Sequence, residues 1–199
     1  LFIFALNFPN MKISAICTDI DGTLLDKTRQ LSTRTLKAFA ALPSDFPIIL
    51  ASSRMPGAMA HLLEEFGRVA NPLICYNGGF VIRSKNEDYQ QVSSTYIDAN
   101  TCREIFALAS ETSVHISLYS GDSWFAPSKD KWTVKEEMVT KVKATIDNHH
   151  SVLGNWEENS RGAHKVMCMG TAEEIQWLYD QLIENFSSSF FERITKPPL

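Results

Sequence analysis

The sequence has little excess of charge of either sign and no block of basic residues. Its 199 residues carry 19 Lys and Arg against 23 Asp and Glu, which gives a net charge of -4. Because a nucleic-acid-binding face needs clustered positive charge, this balance argues against a nucleic-acid partner. The five histidines have no spacing typical of a zinc site.

Paired cysteines and long apolar runs are also lacking. The four cysteines lie far apart in the chain, without a C-x-x-C pair. This spacing argues against a disulfide framework and favours a reducing, cytoplasmic location. Residues 1–9 are apolar but fall well short of the roughly 20 residues that a membrane helix needs, so no membrane partner is predicted. We interpret residues 1–10 as an extension outside the fold.

What the sequence does have is an alternation of strand-like and helix-like patterns. Hydrophobic residues make up 44% of the chain and charged residues 21%, as in globular proteins. The predicted order within residues 11–85 is strand 13–18, helix 33–42, strand 46–51, helix 58–66, strand 72–76 and an antiparallel arm at 80–83. Strands joined by helices form right-handed crossovers, so this order predicts a parallel, partial Rossmann-like α/β core.

After about residue 86 the pattern changes, and residues 86–194 are predicted to form a separate α+β domain. The predicted order there is strand 91–97, helix 100–111, two strands within 114–126, a helix and then a strand within 129–159, strand 164–169, helix 172–186 and strand 189–194. Residues 195–199 are expected to begin a return to the first domain.

Two acidic residues follow the first predicted strand directly. Asp19 and Asp21 belong to the run D-I-D-G-T-L-L. Ligands of open α/β sheets bind beyond the carboxyl ends of the strands, so both carboxylates would face that crevice. One carboxylate could attack phosphorus, while the other donates a proton to the leaving oxygen and then accepts one from water. The alternative is an acidic turn that caps the next helix.

Two carboxylates facing a phosphate would repel it without a cation. A hard, oxygen-liganded ion such as Mg²⁺ would neutralise this charge and orient the attack in line. Mg²⁺ is therefore the predicted cofactor, and a small phosphorylated compound is the predicted substrate.

The motif D-x-D-G-T-[LV]-L after an apolar strand resembles the first signature of the haloacid dehalogenase superfamily. The resemblance implies that Asp19 is the nucleophile and Asp21 the acid/base. It also implies that Mg²⁺ is held by Asp19 and by the main-chain carbonyl of Asp21.

The run I-I-L-A-S-S-R, residues 48–54, resembles the second signature, in the variant found in the Cof-like subfamily IIB with a C2-type cap domain. Ser52 matches the phosphate-binding hydroxyl of that signature. Arg54 matches an arginine that could reach a phosphate or a helix partner. Without the resemblance, a strand-end serine is often only a helix N-cap. The resemblance implies that residues 11–85 are the core and residues 86–194 the cap.

Two further signatures of the superfamily have no match in the chain. They are a lysine beyond the cap and an acidic run such as Gly-Asp-x-x-Asn-Asp. Gly121-Asp122 is interpreted as a hairpin turn, and Lys165 lies inside a predicted strand. We therefore expect a chain truncated before these signatures. The strand that carries Asp19 would then lie at an exposed sheet edge that could support self-association.

The resemblance implies a Mg²⁺-dependent hydrolase of small phosphate monoesters, plausibly sugar phosphates, that acts through an aspartyl-phosphate. Two alternatives stay open. One is a phosphotransferase similar to the phosphomannomutases, which use the same acids. The other is a truncated, catalytically impaired protein that only binds phosphate compounds or a partner.

Overall fold

The computed structural model describes residues 13–85 and 88–186, which divide into two compact units. The first unit runs to Thr95 and also includes Thr140–Val142, whereas the second contains Tyr96–Val139 and the chain from Lys143 onward. The sequence placed this boundary near residue 86. The two boundaries differ because a hairpin keeps its second strand in the sheet of the first unit. No helix of the described residues has the length and apolar character needed to cross a bilayer.

The strands and helices of each unit have the following bounds. The first unit contains β1 (Ile16–Asp19), α1 (Thr33–Ala40), β2 (Ile48–Ala51), α2 (Gly57–Glu65), β3 (Leu73–Cys75), β4 (Phe80–Lys85) and β5 (Asp88–Ser94). The second unit contains β6 (Ile97–Asp98), α3 (Ala99–Ala109), β7 (His115–Ser120), β8 (Ser123–Ala126), α4 (Lys131–Thr140), β9 (Thr145–Ile146), α5 (His149–Glu158), β10 (Gly162–Ala163), β11 (Lys165–Met169) and α6 (Ala172–Asn185).

The first unit is built on a five-stranded sheet in the order β1-β2-β3-β4-β5. The first three strands run parallel, and β4 and β5 are antiparallel additions. The centre of the sheet is closed to solvent, since Ile48, Leu50 and Ile82 have no exposure. Burying each of these side chains contributes roughly 1.5–3 kcal/mol to folding. The predicted parallel α/β core is confirmed.

β1 is the outer strand of this sheet as far as the described residues extend, and its Cys17 is exposed. The edge therefore lies where the sequence placed it, beside Asp19. Self-association through this edge stays a prediction. All four cysteines are free thiols, as expected for a chain without a disulfide framework.

The strand predicted at 91–97 is wrong, because the chain forms two separate strands there. β5 ends at Ser94, after which the backbone N–H of Thr95 donates to Gly79 O at 2.8 Å. Ile97 then begins β6, which pairs with β10 in the second unit. An alternating pattern indicates extended chain but does not specify the sheet in which each stretch pairs.

The second unit has a four-stranded sheet in the order β11-β7-β8-β9 and a separate two-stranded pair of β6 and β10. One apolar cluster joins α3 and α5 to the sheet through Cys102, Leu118, Leu153 and Trp156. A second cluster brings Leu178 of α6 against Ile116 and Ala109. This arrangement confirms the predicted α+β character of the second part of the chain.

The prediction of one helix and one strand within 129–159 is incomplete, because α5 follows β9. Asn148 starts this helix by accepting the His150 N–H at 2.8 Å. His149, the first helical residue, lies with its ring 4.2 Å from that of Phe106. Two histidines and a glycine in ten residues obscure the helical pattern, which tertiary packing overrides. The strand predicted at 189–194 and residues 195–199 lie outside the described residues.

One buried polar network in the second unit could not be read from the sequence. His115 Nδ1 lies 2.8 Å from Asp130 Oδ2, and His115 Nε2 lies 2.9 Å from Ser117 Oγ. Asp130 Oδ1 also accepts the N–H groups of Trp132 and Thr133 at the start of α4. These hydrogen bonds tie α4 to β7. Because Ser117 has no solvent exposure, its hydroxyl is not available to a substrate as a nucleophile.

The carboxylate of Glu174 joins the start of α6 to the loop before β7. Its Oε1 accepts the Ser113 hydroxyl at 2.6 Å and the Ser113 N–H at 3.0 Å, while Oε2 accepts the Thr171 N–H at 3.0 Å. These hydrogen bonds, that of the Ser113 hydroxyl foremost, lower the pKa of Glu174 from 4.5 to about 2. The bonds favour the ionised carboxylate in the folded state.

We expect the second unit to lose stability as the pH falls from about 4.5 towards about 2. The contribution of Glu174 is fully present above its unfolded pKa and is lost as the pH falls through the folded pKa. Glu174→Gln should remove this part of the acid dependence, as measured by thermal unfolding across that window. Glu173→Gln removes the neighbouring charge in the same turn and should leave the dependence intact. Identical profiles for wild type and Glu174→Gln would contradict this assignment.

Candidate active site

The carboxyl ends of β1 and β2 meet at one edge of the sheet of the first unit. The two strands are parallel, with Asp19 opposite Ala51, and Ser52 follows Ala51 directly. The register therefore brings Asp19 and Ser52, which are far apart in the chain, to neighbouring positions. Asp19 is exposed, and its carboxylate accepts no hydrogen bond from the described residues. It is thus open to a ligand.

A wide turn over Ile20–Leu24 directs the chain away after Asp19. Ile20 has no exposure and Leu24 is 5% exposed, so both ends of the turn are anchored in the core. Leu25 N–H closes the turn on Ile20 O at 3.0 Å. Gly22 has a φ of 77°, a left-handed backbone conformation that residues with a side chain rarely adopt. The turn therefore keeps Asp21 at the surface, beside the strand end.

Asp21 is held by a bidentate ion pair with Arg54. Arg54 Nη2 donates to Asp21 Oδ1 at 2.6 Å and Arg54 Nε donates to Oδ2 at 2.9 Å. The Arg54 side chain is 12% exposed and also donates to Ala58 O of α2 at 3.4 Å. The sequence predicted that this arginine would reach a phosphate or a helix partner. Its contacts in the structure are with Asp21 and with the backbone of α2.

Ser52 is 6% exposed and ties the loops that follow β2 and β3 together. Its N–H donates to Ile74 O at 2.9 Å, and its carbonyl accepts the Asn77 N–H at 3.0 Å. Its Oγ accepts the Arg54 N–H at 3.3 Å. The helix that follows begins only at Gly57, so Ser52 does not serve as its N-cap. The alternative reading of Ser52 as a cap is therefore wrong.

A third strand end completes this edge of the sheet. The Tyr76 N–H donates to Arg54 O at 3.2 Å. Tyr76 and Asn77 have φ values of 52° and 54°, and Gly78 follows at 94°. Consecutive left-handed residues are uncommon outside glycine, and such strain concentrates at functional sites.

Arg29 is a member of the site that sequence reasoning missed. Its Nη2 lies 3.3 Å from Asp21 Oδ1, so two guanidinium groups converge on one carboxylate. No signature of the sequence pointed to it, since it lies in a short polar turn without recognisable spacing. With Asp19, the site contains two acidic and two basic side chains. Burial lowers the pKa of His61 on α2, which favours its neutral form.

The residues predicted to hold a metal are hard oxygen donors, as Mg²⁺ requires. Among the described residues no group of three or more His, Cys, Asp or Glu could hold a metal ion. Mg²⁺ usually keeps several waters and takes one or two carboxylates together with substrate phosphate oxygens. The open carboxylate of Asp19 and the main-chain carbonyl of Asp21, two residues further along the chain, are oxygen donors of the kind that such a partial set uses. The Asp21 carboxylate is occupied by the arginines.

The profile of the haloacid dehalogenase-like hydrolases matches residues 16–197, which is most of the chain. The chain belongs to this family. The family membership confirms the resemblance carried by the D-x-D-G-T-L-L run.

A relative of this chain differs from it in length. A Haemophilus influenzae protein provisionally named a phosphatase is 25% identical over 179 residues, which are 88% of this chain and 64% of that protein. The chain thus spans less than two thirds of this relative.

Solved structures share the fold of this chain. A Thermotoga maritima protein matches 93% of this chain and 65% of its own, with a TM-score of 0.73 and 18% identity. A sugar phosphatase of subclass IIB matches 84% of this chain and 63% of its own, with a TM-score of 0.62 and 16% identity. Identities this low are evidence for the fold alone. The shared fold confirms the predicted fold class.

Proposed function

We propose that this chain carries the nucleophile and the acid/base of a Mg²⁺-dependent hydrolase of small phosphate monoesters. One observation supports this above the others. The carboxylate of Asp19 is open to solvent at a strand end, while Ser52 lies at the neighbouring strand end and Asp21 is held in place by Arg54. An open carboxylate beside a fixed one is what a two-step phosphoryl transfer needs.

In the proposed reaction, a carboxylate oxygen of Asp19 attacks phosphorus, and the bond from phosphorus to the ester oxygen breaks. Asp21 in its protonated form gives its proton to the leaving oxygen, so the product is a neutral alcohol. A water molecule then attacks the phosphorus of the aspartyl-phosphate and gives one proton to Asp21, while the bond from phosphorus to the Asp19 oxygen breaks and regenerates the Asp19 carboxylate. Inorganic phosphate leaves, and Asp19 and Asp21 return to their starting states.

The ion pair with Arg54 occupies both carboxylate oxygens of Asp21. For Asp21 to donate a proton in the first step, the arginine must release it or share its hydrogen bonds with the substrate. We propose that the incoming phosphate oxygens take up Arg54 in this way, together with the Ser52 hydroxyl. The proposed phosphate-binding residues are therefore Ser52 and Arg54.

Bound Mg²⁺ would neutralise phosphate charge at the site. We propose that the Asp19 carboxylate and the Asp21 main-chain carbonyl hold it. A cation is needed because the two carboxylates of the site balance the two arginines. The site therefore has no net positive charge of its own with which to bind a phosphate dianion.

Sugar phosphates are the proposed substrate class, on the analogy of the subclass IIB sugar phosphatase that shares the fold. A second candidate is a protein that binds phosphate compounds without hydrolysing them. The lack of a third acidic ligand among the described residues favours it. A phosphotransferase that uses the same acids would differ from both candidates in its products, because it would form a new phosphate ester and release no inorganic phosphate.

The test is release of inorganic phosphate by the purified chain from para-nitrophenyl phosphate and a panel of sugar phosphates. We expect turnover with Mg²⁺ and at least about a tenfold fall in rate after chelation with EDTA, because the site has no net positive charge of its own. Restoring Mg²⁺ in excess should restore the rate. A rate that is equal with and without the metal would contradict the proposed cofactor. Binding of phosphate esters without any release would favour the second candidate.

A further inference from the structure

The buried face of α4 is polar, which is the reverse of an ordinary surface helix. Thr133, Glu137 and Thr140 are spaced so that they share one helical face, and all three are buried. Thr133 Oγ1 donates to Ser128 O at 2.7 Å, and Glu137 Oε2 accepts the Lys143 ammonium at 2.8 Å. Thr133 and Glu137 therefore have their partners within the second unit.

The solvent side of the same helix, called here the α4 face, is apolar and basic. Val134 and Val139 are each 41% exposed and Met138 is 76% exposed, and the exposed Lys131 and Lys135 lie on the same side. Both acidic residues of the helix are buried or half-buried. Three exposed apolar side chains on a helix whose other side is polar indicate a surface that a partner covers.

Trp132 holds the two lysines of the α4 face in place. The ammonium of Lys131 lies 5.0 Å from the centroid of the Trp132 ring, and that of Lys135 lies 5.8 Å from it. Cation–π attraction favours these positions. The α4 face is thus positively charged in a chain whose net charge is -4. A partner that suits it offers negative charges around an apolar contact.

α6 carries a surface of this complementary kind, called here the α6 face. Its exposed residues Glu173, Trp177, Asp180 and Glu184 are four, three and four residues apart, which places them on one side of the helix. The helix contains no lysine or arginine. Trp177 is 38% exposed, and with Glu111 and Glu173 it lines an open cleft of about 390 Å³. The α6 face therefore presents an aromatic ring among carboxylates.

The α4 and α6 faces cannot meet within one chain, because the helices lie on opposite sides of the same sheet. Successive residues of β7 point to opposite sides of that sheet. Ile116 packs against Leu178 of α6, whereas the Tyr119 O–H donates to Glu136 Oε1 of α4 at 3.4 Å. An α4 face can therefore reach an α6 face only on another molecule.

We propose that the α4 face binds the α6 face of a second copy of this chain. Lys131 and Lys135 lie against the carboxylates of α6, and Met138 packs on the ring of Trp177, a sulfur–aromatic contact. Each molecule offers one face of each kind, so the contact is heterologous and repeats head to tail. It depends neither on the proposed reaction nor on the exposed edge at β1.

The test is the average mass of the purified chain as a function of concentration, measured by sedimentation equilibrium. We expect the mass to rise with concentration at about 0.1 M salt. At about 1 M salt the apparent dissociation constant should be at least about tenfold higher, because the Debye length falls from about 10 Å to about 3 Å.

Charge reversal on either face should weaken association by at least about tenfold. The variants are Lys131→Glu with Lys135→Glu in α4, and Asp180→Lys with Glu184→Lys in α6. All four positions are exposed, so thermal unfolding should show both variants folded. A mixture of the two should associate again, because every α4–α6 contact between them joins opposite charges.

Lys27→Glu with Arg34→Glu is the matched control, since it reverses two exposed positive charges in the first unit. It should associate as wild type does. Met138→Ser keeps every charge and should weaken association by about threefold or more, through the lost apolar contact alone.

The inference is overturned if wild type stays monomeric up to about 1 mM, if either charge-reversed variant associates like wild type, or if their mixture stays monomeric. Equal weakening in the control would assign the effect to net charge and would also overturn it. So would a monomeric wild type that binds phosphatidylserine vesicles through Lys131 and Lys135, because the α4 face would then belong to a membrane surface.

Discussion

Replacing Asp19 with asparagine is expected to lower kcat for phosphate monoesters by about 10³-fold or more. The amide has nearly the same shape as the carboxylate but is a far weaker nucleophile. Asp21, the other acid that the described residues place at this strand end, has both carboxylate oxygens bound by Arg54. Phosphate release from para-nitrophenyl phosphate with Mg²⁺ measures the loss.

Asp45→Asn is the matched control for this loss. Asp45 is exposed in the loop between α1 and β2. Its replacement by asparagine removes one negative charge outside the site, as Asp19→Asn does within it. Its activity should equal that of wild type, and thermal unfolding should show both variants folded, since an exposed substitution changes stability by only about 0.5 kcal/mol. If wild type and Asp19→Asn hydrolyse the ester equally slowly, the proposed function is wrong for this chain.

Asp21→Asn is expected to lower kcat by about 10²- to 10⁴-fold for esters of alkyl alcohols, which need a proton on the leaving oxygen. The loss should be much smaller for para-nitrophenyl phosphate in the first step, because nitrophenolate leaves without protonation. Because both esters share the second step, the informative measurement is the ratio of the two losses in kcat/KM, which reports the first step. A structural role for Asp21 would reduce both rates by the same factor.

The Asp21→Asn experiment also needs a stability control, because Asp21 is the partner of a mostly buried arginine. The Arg54 side chain is 12% exposed, and an unpaired guanidinium there costs stability. Asparagine keeps one hydrogen-bond acceptor for it. Thermal unfolding of the variant with and without Mg²⁺ separates a folding defect from a catalytic one. A folded variant with unchanged rates for both esters would contradict the acid/base role.

Much of the first unit could be predicted because its strands are continuous apolar runs. The centre of β2, with Ile48 and Leu50 unexposed, is recognisable from composition alone. Ser32 likewise marks the start of α1, where its Oγ accepts the Thr35 N–H at 3.0 Å. These features depend on neighbours in sequence.

The elements that were misread depend on partners distant in sequence. The strand at 88–94 belongs to the first unit because it pairs with β4 across an irregularity at Val81 and Ile82. Ile97 and Asp98 pair instead with Gly162 and Ala163. Local pattern does not encode either choice, because an extended segment can join any sheet that buries its apolar face.

Sequence alone determined the family, the candidate nucleophile Asp19 and the strand ends at which the chemistry is proposed, because a strand, a glycine turn and two acids form one contiguous run. Only the tertiary structure decided what surrounds Asp21. Its two arginine contacts cross 33 residues to Arg54 and 8 residues to Arg29. Such contacts follow from strand register and from the path of a turn, which spacing in the sequence does not specify.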